Sequence, residues 1–481
     1  MMPNSFAYFS LIAWPFVALW LYLSRPVGRA TVWTILTGYL LLPVGTFFKI
    51  EMVPQFDKSS VPNLCALVGC LIFARRPPPF FSRLGVVEGL IVFFVVGPLV
   101  TSLLNGDPIF FGNKVLPGVG AYDGVSALLS QLITLIPFFL GRGFLRTAAD
   151  TVQVFYALSL AGLAYSLLLL FEIRFSPQLH NWIYGYYPSD FIQEIRAGGS
   201  FRPMALMGHG LTACFFAMTA TVASAAHWRV RIRVVRFAPP ATVTAYLSVV
   251  LVFCKSGAAL VYGMVLVPII RWTKPRFQMR IAMAFVLVAL LYPLLRSFDL
   301  FPSNTIVEVS NVIDDARAGS LQYRFDQEAQ LLERASQRVL FGWGRYGRNR
   351  VHEVLEGGVG ADMSVTDGRW IITLGQFGLV GFLAEFGLLA ISVFRAANAL
   401  KFAESFRDSI LLSALGLIVA INMLDLLPNS GLSPWTWLLA GSLLGRSEMI
   451  LARSRNRNLR TSPLDSAKIE GAKLATPKAA I

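Results

Sequence analysis

Between Arg296 and Gly381 the sequence gathers, in one polar stretch, the side chains best suited to chemistry. Arg324 and Arg345 supply fixed guanidinium charge, a planar fork that matches phosphate and carboxylate oxygens. Asp367 and His352 are titratable groups whose protons become exchangeable near neutrality when their surroundings shift them. The run FGWGRYGRNR centres on Trp343 and is dense in glycine, a backbone that permits close approach to a ligand and equally serves as a flexible turn.

These residues need elements to hold them. From Ser320 to Leu340 the apolar residues Leu321, Phe325, Leu332 and Ala335 recur at helical spacing, with Arg324, Glu328, Arg334 and Arg338 projecting elsewhere. Arg324 and Glu328 stand four apart, the spacing of a surface ion pair; Arg334 and Arg338 read as the polar face of an amphipathic helix lying on a membrane. Asp367 directly precedes the apolar run from Trp370 to Phe394, so it fits two roles, a proton acceptor or the N-cap of that helix.

The rest of the chain is apolar. Hydrophobic residues make up 55% of it, charged residues only 14%, and mean hydropathy is +0.60, which places it among polytopic membrane proteins rather than soluble domains. A hydrocarbon core of about 30 Å takes around 20 apolar residues as a helix. On that basis the sequence predicts an all-α integral membrane protein of about thirteen spans with one large helix-containing loop. Its expected parts are a bundle over 1–295, the loop over 296–369, further spans over 370–446 and a basic, disordered tail over 447–481. The first run, Phe6 to Ser24, lacks a basic start and a small-residue cleavage site, so it reads as a span instead of a signal peptide.

Most of the 42 lysines and arginines fall in alternate connections, among them Arg25, Arg29, Arg75, Arg76, Arg83 and Arg142, together with the tail from Arg446 onward. Basic residues collect on the cytoplasmic side of short loops, which puts the 296–369 loop on the outer side. The net charge of +15 is then mostly topological, and nucleic acid is not an expected partner. The four cysteines sit in or beside apolar runs without metal-ligand spacing, and Asp314, Asp315 and Asp362 do not form a metal-binding nucleotide-sugar motif; no metal or cofactor is expected. Glu385 and Asp425 fall within expected spans, where acids are functional candidates by default or pair with a neighbouring span.

Other outer segments carry weaker signals. Asn105–Val125 is rich in glycine and proline and reads as a re-entrant or lid segment, or as a loop resting on the interface. NWIYGYYPSDF within 172–207 offers aromatic faces to a sugar ring or to the membrane interface. Arg196 and Arg202 flank glycines just outside a span, placed to hold a phosphate or to snorkel to headgroups.

Taken together, Arg324, then Gly342-Trp343-Gly344, then Asp367-Gly368 followed by nine residues and Gly378-Leu-Val-Gly381 resemble the O-antigen ligase and O-antigen polymerase superfamily of bacterial envelope glycosyltransferases. The ligase pattern places His-Asn where this chain has Asp367-Gly368, a departure that favours the polymerase branch; a family arginine near the outer end of a span is met here by Lys255 in Cys254-Lys255-Ser256-Gly257, which keeps the basic charge and loses the guanidinium fork. The resemblance implies a multi-pass protein of the bacterial inner membrane with its large loop in the periplasm. It also implies transfer of a glycan from an undecaprenyl diphosphate carrier to a sugar hydroxyl, with other polysaccharide assembly proteins as partners.

In that chemistry Arg324 holds the departing diphosphate, helped by Lys255, Arg202 and Arg345, while Trp343 lines the substrate path. Asp367 is the expected base, with His352 as the alternative. Two rival readings stay open: a ligase that attaches finished glycan, and a lipid-linked oligosaccharide flippase. Transporters commonly show internal repeats, and none is visible here.

Overall fold

A computed structural model describes residues 2–50, 53–75, 85–189, 191–196, 199–313 and 315–460. The helices in chain order are α1 (Ser5–Ser24), α2 (Val27–Leu41), α3 (Ser60–Phe73), α4 (Val86–Leu103), α5 (Ala121–Phe144), α6 (Ala148–Phe175), α7 (Leu179–Tyr184) and α8 (Gly210–Val230). They continue as α9 (Pro240–Phe253), α10 (Gly257–Trp272), α11 (Pro275–Ser297), α12 (Ser303–Ile313), α13 (Asp315–Ser336), α14 (Arg369–Ala399), α15 (Phe406–Asp425) and α16 (Pro434–Arg460).

The expected apolar runs fall mainly on these helices, although the one over Ala30 to Phe48 leaves α2 at Leu41; eight helices are long and apolar enough to cross a membrane: α1, α4, α5, α6, α8, α11, α14 with its short 3-10 extension, and α15. The others fail on length or charge. Helices α2, α3, α9 and α10 have 14 to 16 residues, short of a full hydrocarbon crossing. Helix α16 is long enough, yet from its middle onward it carries Arg446, Arg453, Arg455 and Arg457. It also runs to Arg460, past the boundary expected at 447. The remaining tail residues 461–481, and Arg76, Arg83 and Asp314, lie outside the described residues.

Phe9, Phe16, Leu23, Val252, Met264 and Leu291 are among many large apolar side chains left exposed, a surface that water would not tolerate and lipid would. Inside, helices meet through small residues. A Cβ at Gly141 would lie 2.4 Å from the Leu438 carbonyl oxygen and one at Gly441 2.1 Å from that of Phe138, so α5 and α16 touch backbone to backbone. At the end of the bundle remote from the large loop, Arg142 clamps Glu88 (2.8 Å) and Glu448 (2.7 Å), and Arg446 pairs with Asp408 (2.6 Å).

At the loop end, 105–125 forms a hairpin over 109–116, in which Phe111 pairs with Lys114. It docks on a second hairpin over 352–362. Asn113 N–H donates to the Gly358 carbonyl (3.0 Å) and Gly360 N–H to Asn113 Oδ1 (3.1 Å). Segment 105–125 thus braces the large loop. The 181–187 aromatics divide: the Tyr184 and Tyr186 hydroxyls donate to the carbonyls of Leu41 and Val44, while Trp182 stays exposed.

Candidate active site

The large loop and α14 are joined through a break in the helix. Gly378 has φ +66° and ψ −164°, interrupting α14 ten residues into it. A broken helix frees backbone groups that lipid cannot satisfy. Here the loop satisfies them: Trp343 N–H donates to the Gly375 carbonyl (2.9 Å) and Gly344 N–H to that of Gln376 (2.8 Å). In return Leu379 N–H donates to the Val339 carbonyl (2.7 Å) and Val380 N–H to that of Leu340 (3.2 Å). Any side chain at Gly378 would start 2.3 Å from the Leu340 carbonyl carbon, so the glycines of both motifs belong to one joint.

Helix α13 packs against α14 and brings Arg324 to Asp367, Nε to Oδ2 at 3.4 Å. Val365 N–H donates to Gln327 Oε1 (2.8 Å), which pins the segment carrying Asp367 against α13. A third wall comes from the turn after α15: Arg324 Nη1 donates to the Pro428 carbonyl (3.3 Å), and Arg369 N–H to those of Leu426 (2.9 Å) and Asn429 (3.1 Å). Asp367 is not the cap of α14. Gly368 occupies that position, without a side-chain cap bond, and a Cβ there would lie 2.2 Å from the Leu427 carbonyl oxygen.

The pair opens on a cavity of 190 Å³ whose walls are Tyr292, Leu321, Phe325, Ile371 and Leu427, mostly apolar, with Glu328 on one side. Glu328 does not take Arg324 as its partner. Tyr292 donates to it at 2.8 Å, and Arg296 lies 3.5 Å away. Burial pushes the Glu328 carboxyl above its ordinary value, against the opposing pull of Tyr292 and Arg296. Arg324 and Asp367 therefore keep a pairing that is long and open, with 35% and 43% of their side-chain surfaces exposed.

The other expected site residues separate. Trp343 is buried against two guanidiniums, Arg334 at 3.3 Å and Arg338 at 4.2 Å from its ring, and its indole N–H donates to the Arg334 carbonyl (2.7 Å). Burial, and then the like charges of Arg338 and Arg348, pull Arg334 down to about 10. Trp343 and both arginines thus form a packed stack. Arg338 also reaches Asp107 (2.9 Å), tying the stack to the first hairpin. His352 stacks on Phe111 with ring centroids 4.3 Å apart and places Nε2 3.0 Å from the Gly347 carbonyl; it lines a different recess from Asp367. Lys255 is exposed in the turn between α9 and α10, with no hydrogen bond or ion pair from its side chain among the described residues.

Arg202 is buried and fully engaged, Nε donating to Glu194 Oε2 at 2.6 Å. The same Glu194 carboxylate accepts from Gly210 N–H (2.9 Å) and lies 3.4 Å from His209 Nδ1. Burial, with Arg202 and Arg196 added, holds the His209 imidazole below its ordinary value against the pull of Glu194. Its Nδ1 accepts from Leu211 N–H (3.1 Å), capping α8, which leaves Nε2 carrying the proton toward Gln193 Oε1 (3.2 Å). That tautomer has no free lone pair, so His209 is a cap and not a base.

No family model matches the chain, and no curated protein does.

Sequence reasoning missed the roles of Tyr292, Arg296, Glu194 and His209, and for Glu328 it offered no partner beyond its four-residue spacing from Arg324, whereas Tyr292 and Arg296 hold it. It also left Glu385 as an open candidate. Glu385 is buried and takes both Nε and Nη2 of Arg369 at 2.7 Å, plus the Thr373 hydroxyl at 3.1 Å. Arg345 faces a separate cavity and has no hydrogen bond or ion pair from its side chain among the described residues. Burial, and then the charge of Arg369, hold its guanidinium below its ordinary value.

Proposed function

We propose that the chain is a membrane-embedded glycosyltransferase that polymerises lipid-linked oligosaccharide units at the outer face of the bacterial inner membrane. In this reading the shorter helices join the eight long ones in about thirteen membrane-inserted segments, and 296–369 is periplasmic. The observation that carries it is the open Arg324–Asp367 pair beside a mostly apolar cavity where the spans end. A lipid-linked diphosphate needs both features, a guanidinium for its oxygens and apolar walls for its chain.

The step follows from the two groups. Arg324 turns from Asp367 to the diphosphate oxygens and stabilises the charge that grows as the bond from the anomeric carbon to the phosphate oxygen breaks. The acceptor hydroxyl oxygen forms the new bond to that carbon, and its proton passes to Asp367. Diphosphate on its carrier leaves as the anion.

The lipid-linked pool of a deletion strain tests this. Single repeat units accumulate if the chain polymerises; full-length polymer retained on the carrier would instead indicate transfer of finished glycan, and an unchanged pool would contradict glycosyl transfer altogether. Orientation has its own test, because the native cysteines are buried or half-buried. Cysteines replacing the exposed Ser320 and Glu356 should react with a membrane-impermeant thiol reagent on sealed cells, and one replacing Arg455 should not.

A further inference from the structure

On the other side of the start of α14 lies a polar, partly open cavity of 300 Å³, lined by residues of α3, α5, α14 and α16 and by the connections that carry Asp57 and Arg345. Arg369 lines it, two residues from Asp367, and so do Gln376 and Phe377 at the break in the helix. Irregular backbone among membrane helices is tolerated where it lines a cavity, and such breaks are where ligands are held. The polar groups here exceed what folding uses. Arg345 has no side-chain partner among the described residues. Asn63 donates through Nδ2 to the Ile133 carbonyl (3.1 Å), which fixes the amide and leaves Oδ1 unpartnered in a side chain that is 1% exposed. The indole N–H of Trp437, fully buried in the same wall, is unpartnered too. Buried polar atoms left in this state cost stability, and a native fold keeps few of them without use.

Charge narrows the ligand. The two guanidiniums, Arg345 and Arg369, are matched by Glu385 behind Arg369 and by Asp57 across the cavity. A diphosphate would meet an acid and only one unpaired cation. An uncharged sugar ring meets amides, hydroxyls and charged groups suited to its many O–H groups, and the volume is at the lower end of small-ligand pockets, about 300–1,000 Å³. We propose that this cavity binds a neutral sugar unit of the acceptor glycan, with Arg345, Gln131 and Gln376 on its hydroxyls. The inference rests on the glycosyl-transfer reading for the word acceptor, and on the cavity alone for the sugar.

The test uses the full chain in detergent and a probe panel of glucose, galactose, N-acetylglucosamine, glucuronate and inorganic diphosphate, with binding followed by tryptophan fluorescence. At least one neutral sugar binds saturably, and Arg345→Gln and Gln131→Ala each weaken it by about tenfold or more, the worth of one strong hydrogen bond. Glu356→Gln, at an exposed position that lines neither cavity, leaves that binding unchanged. Unfolding temperature and a monodisperse elution profile separate lost binding from lost fold, and Gln131→Ala removes no charge. Failure of every neutral sugar to bind, binding indifferent to both cavity variants, or diphosphate bound in preference and lost in Arg345→Gln would each overturn the proposal. Sugar binding without transferase activity would sink the function reading and leave this site standing; transfer with sugar binding indifferent to both variants would do the reverse.

Discussion

Two arginine–carboxylate pairs flank the start of α14, and they are built for opposite purposes. Arg369 and Glu385 meet through two 2.7 Å hydrogen bonds, the carboxylate 1% exposed and further held by Thr373. Arg324 and Asp367 meet once, at 3.4 Å, with more than a third of each side chain in the open. A bidentate buried pair is satisfied and has nothing to give a ligand; an exposed long pair contributes little to stability and exchanges partners readily. The difference teaches where to look for function: not at the acid buried in the span, but at the one left loosely held at the mouth.

Breaking the tight pair should cost the most. Glu385→Ala leaves the Arg369 guanidinium uncompensated beside a cavity that gives it partial hydration, so a loss of about 3 kcal/mol is expected, near the lower end for breaking a buried pair. Low abundance and a strongly lowered unfolding temperature would show it; a variant as stable as the parent would remove the contrast between the two pairs.

The joint that positions both pairs comes next. Gly378→Ala puts a Cβ 2.3 Å from the Leu340 carbonyl carbon at a φ of +66°, and strained backbone of this kind costs roughly 1–3 kcal/mol. The unfolding temperature should fall, and protection of the Leu379 amide in hydrogen exchange should fall with it. Unchanged protection would mean that the loop does not depend on the break.

The smallest effect concerns pH. His209 is held below its ordinary value, so its neutral form contributes stability above about pH 6.5, and this is lost as pH falls. Unfolding temperature should drop between about pH 7.5 and about pH 5.5, and His209→Asn, which keeps a capping side chain, should flatten that part of the dependence. A slope unchanged by the substitution would exclude His209 as its source.

Much of this arrangement was legible in the sequence, and the remainder had physical reasons to be hidden. Apolar runs and helical spacing located α13 and the start of α14, because periodicity is a local property. The partner of Arg324 was not local. Glu328, one turn along the same helix, was the nearer choice in sequence, but Tyr292 and Arg296 of α11 had already taken it. Trp343 looked like a ligand platform because nothing nearby in sequence shows that Arg334 and Arg338 pack against its ring. Gly378 read as a small residue inside a span; that it breaks the helix depends on Val339 and Leu340 arriving to satisfy the freed amides. Asp367 was readable as a cap by position alone, and the carbonyl of Leu427 is what gives that place to Gly368.

The central claim is that the loosely held pair performs the chemistry, and Asp367→Asn tests it most directly. The helix start does not depend on the Asp367 side chain, so Asn keeps shape and fold while removing the base. With the protein reconstituted in membranes beside lipid-linked donor and acceptor, turnover should fall by about 10²- to 10⁴-fold at normal abundance and unfolding temperature. Arg324→Lys, which keeps the charge and loses the fork, should fall with it. Near-normal turnover in Asp367→Asn would contradict the account.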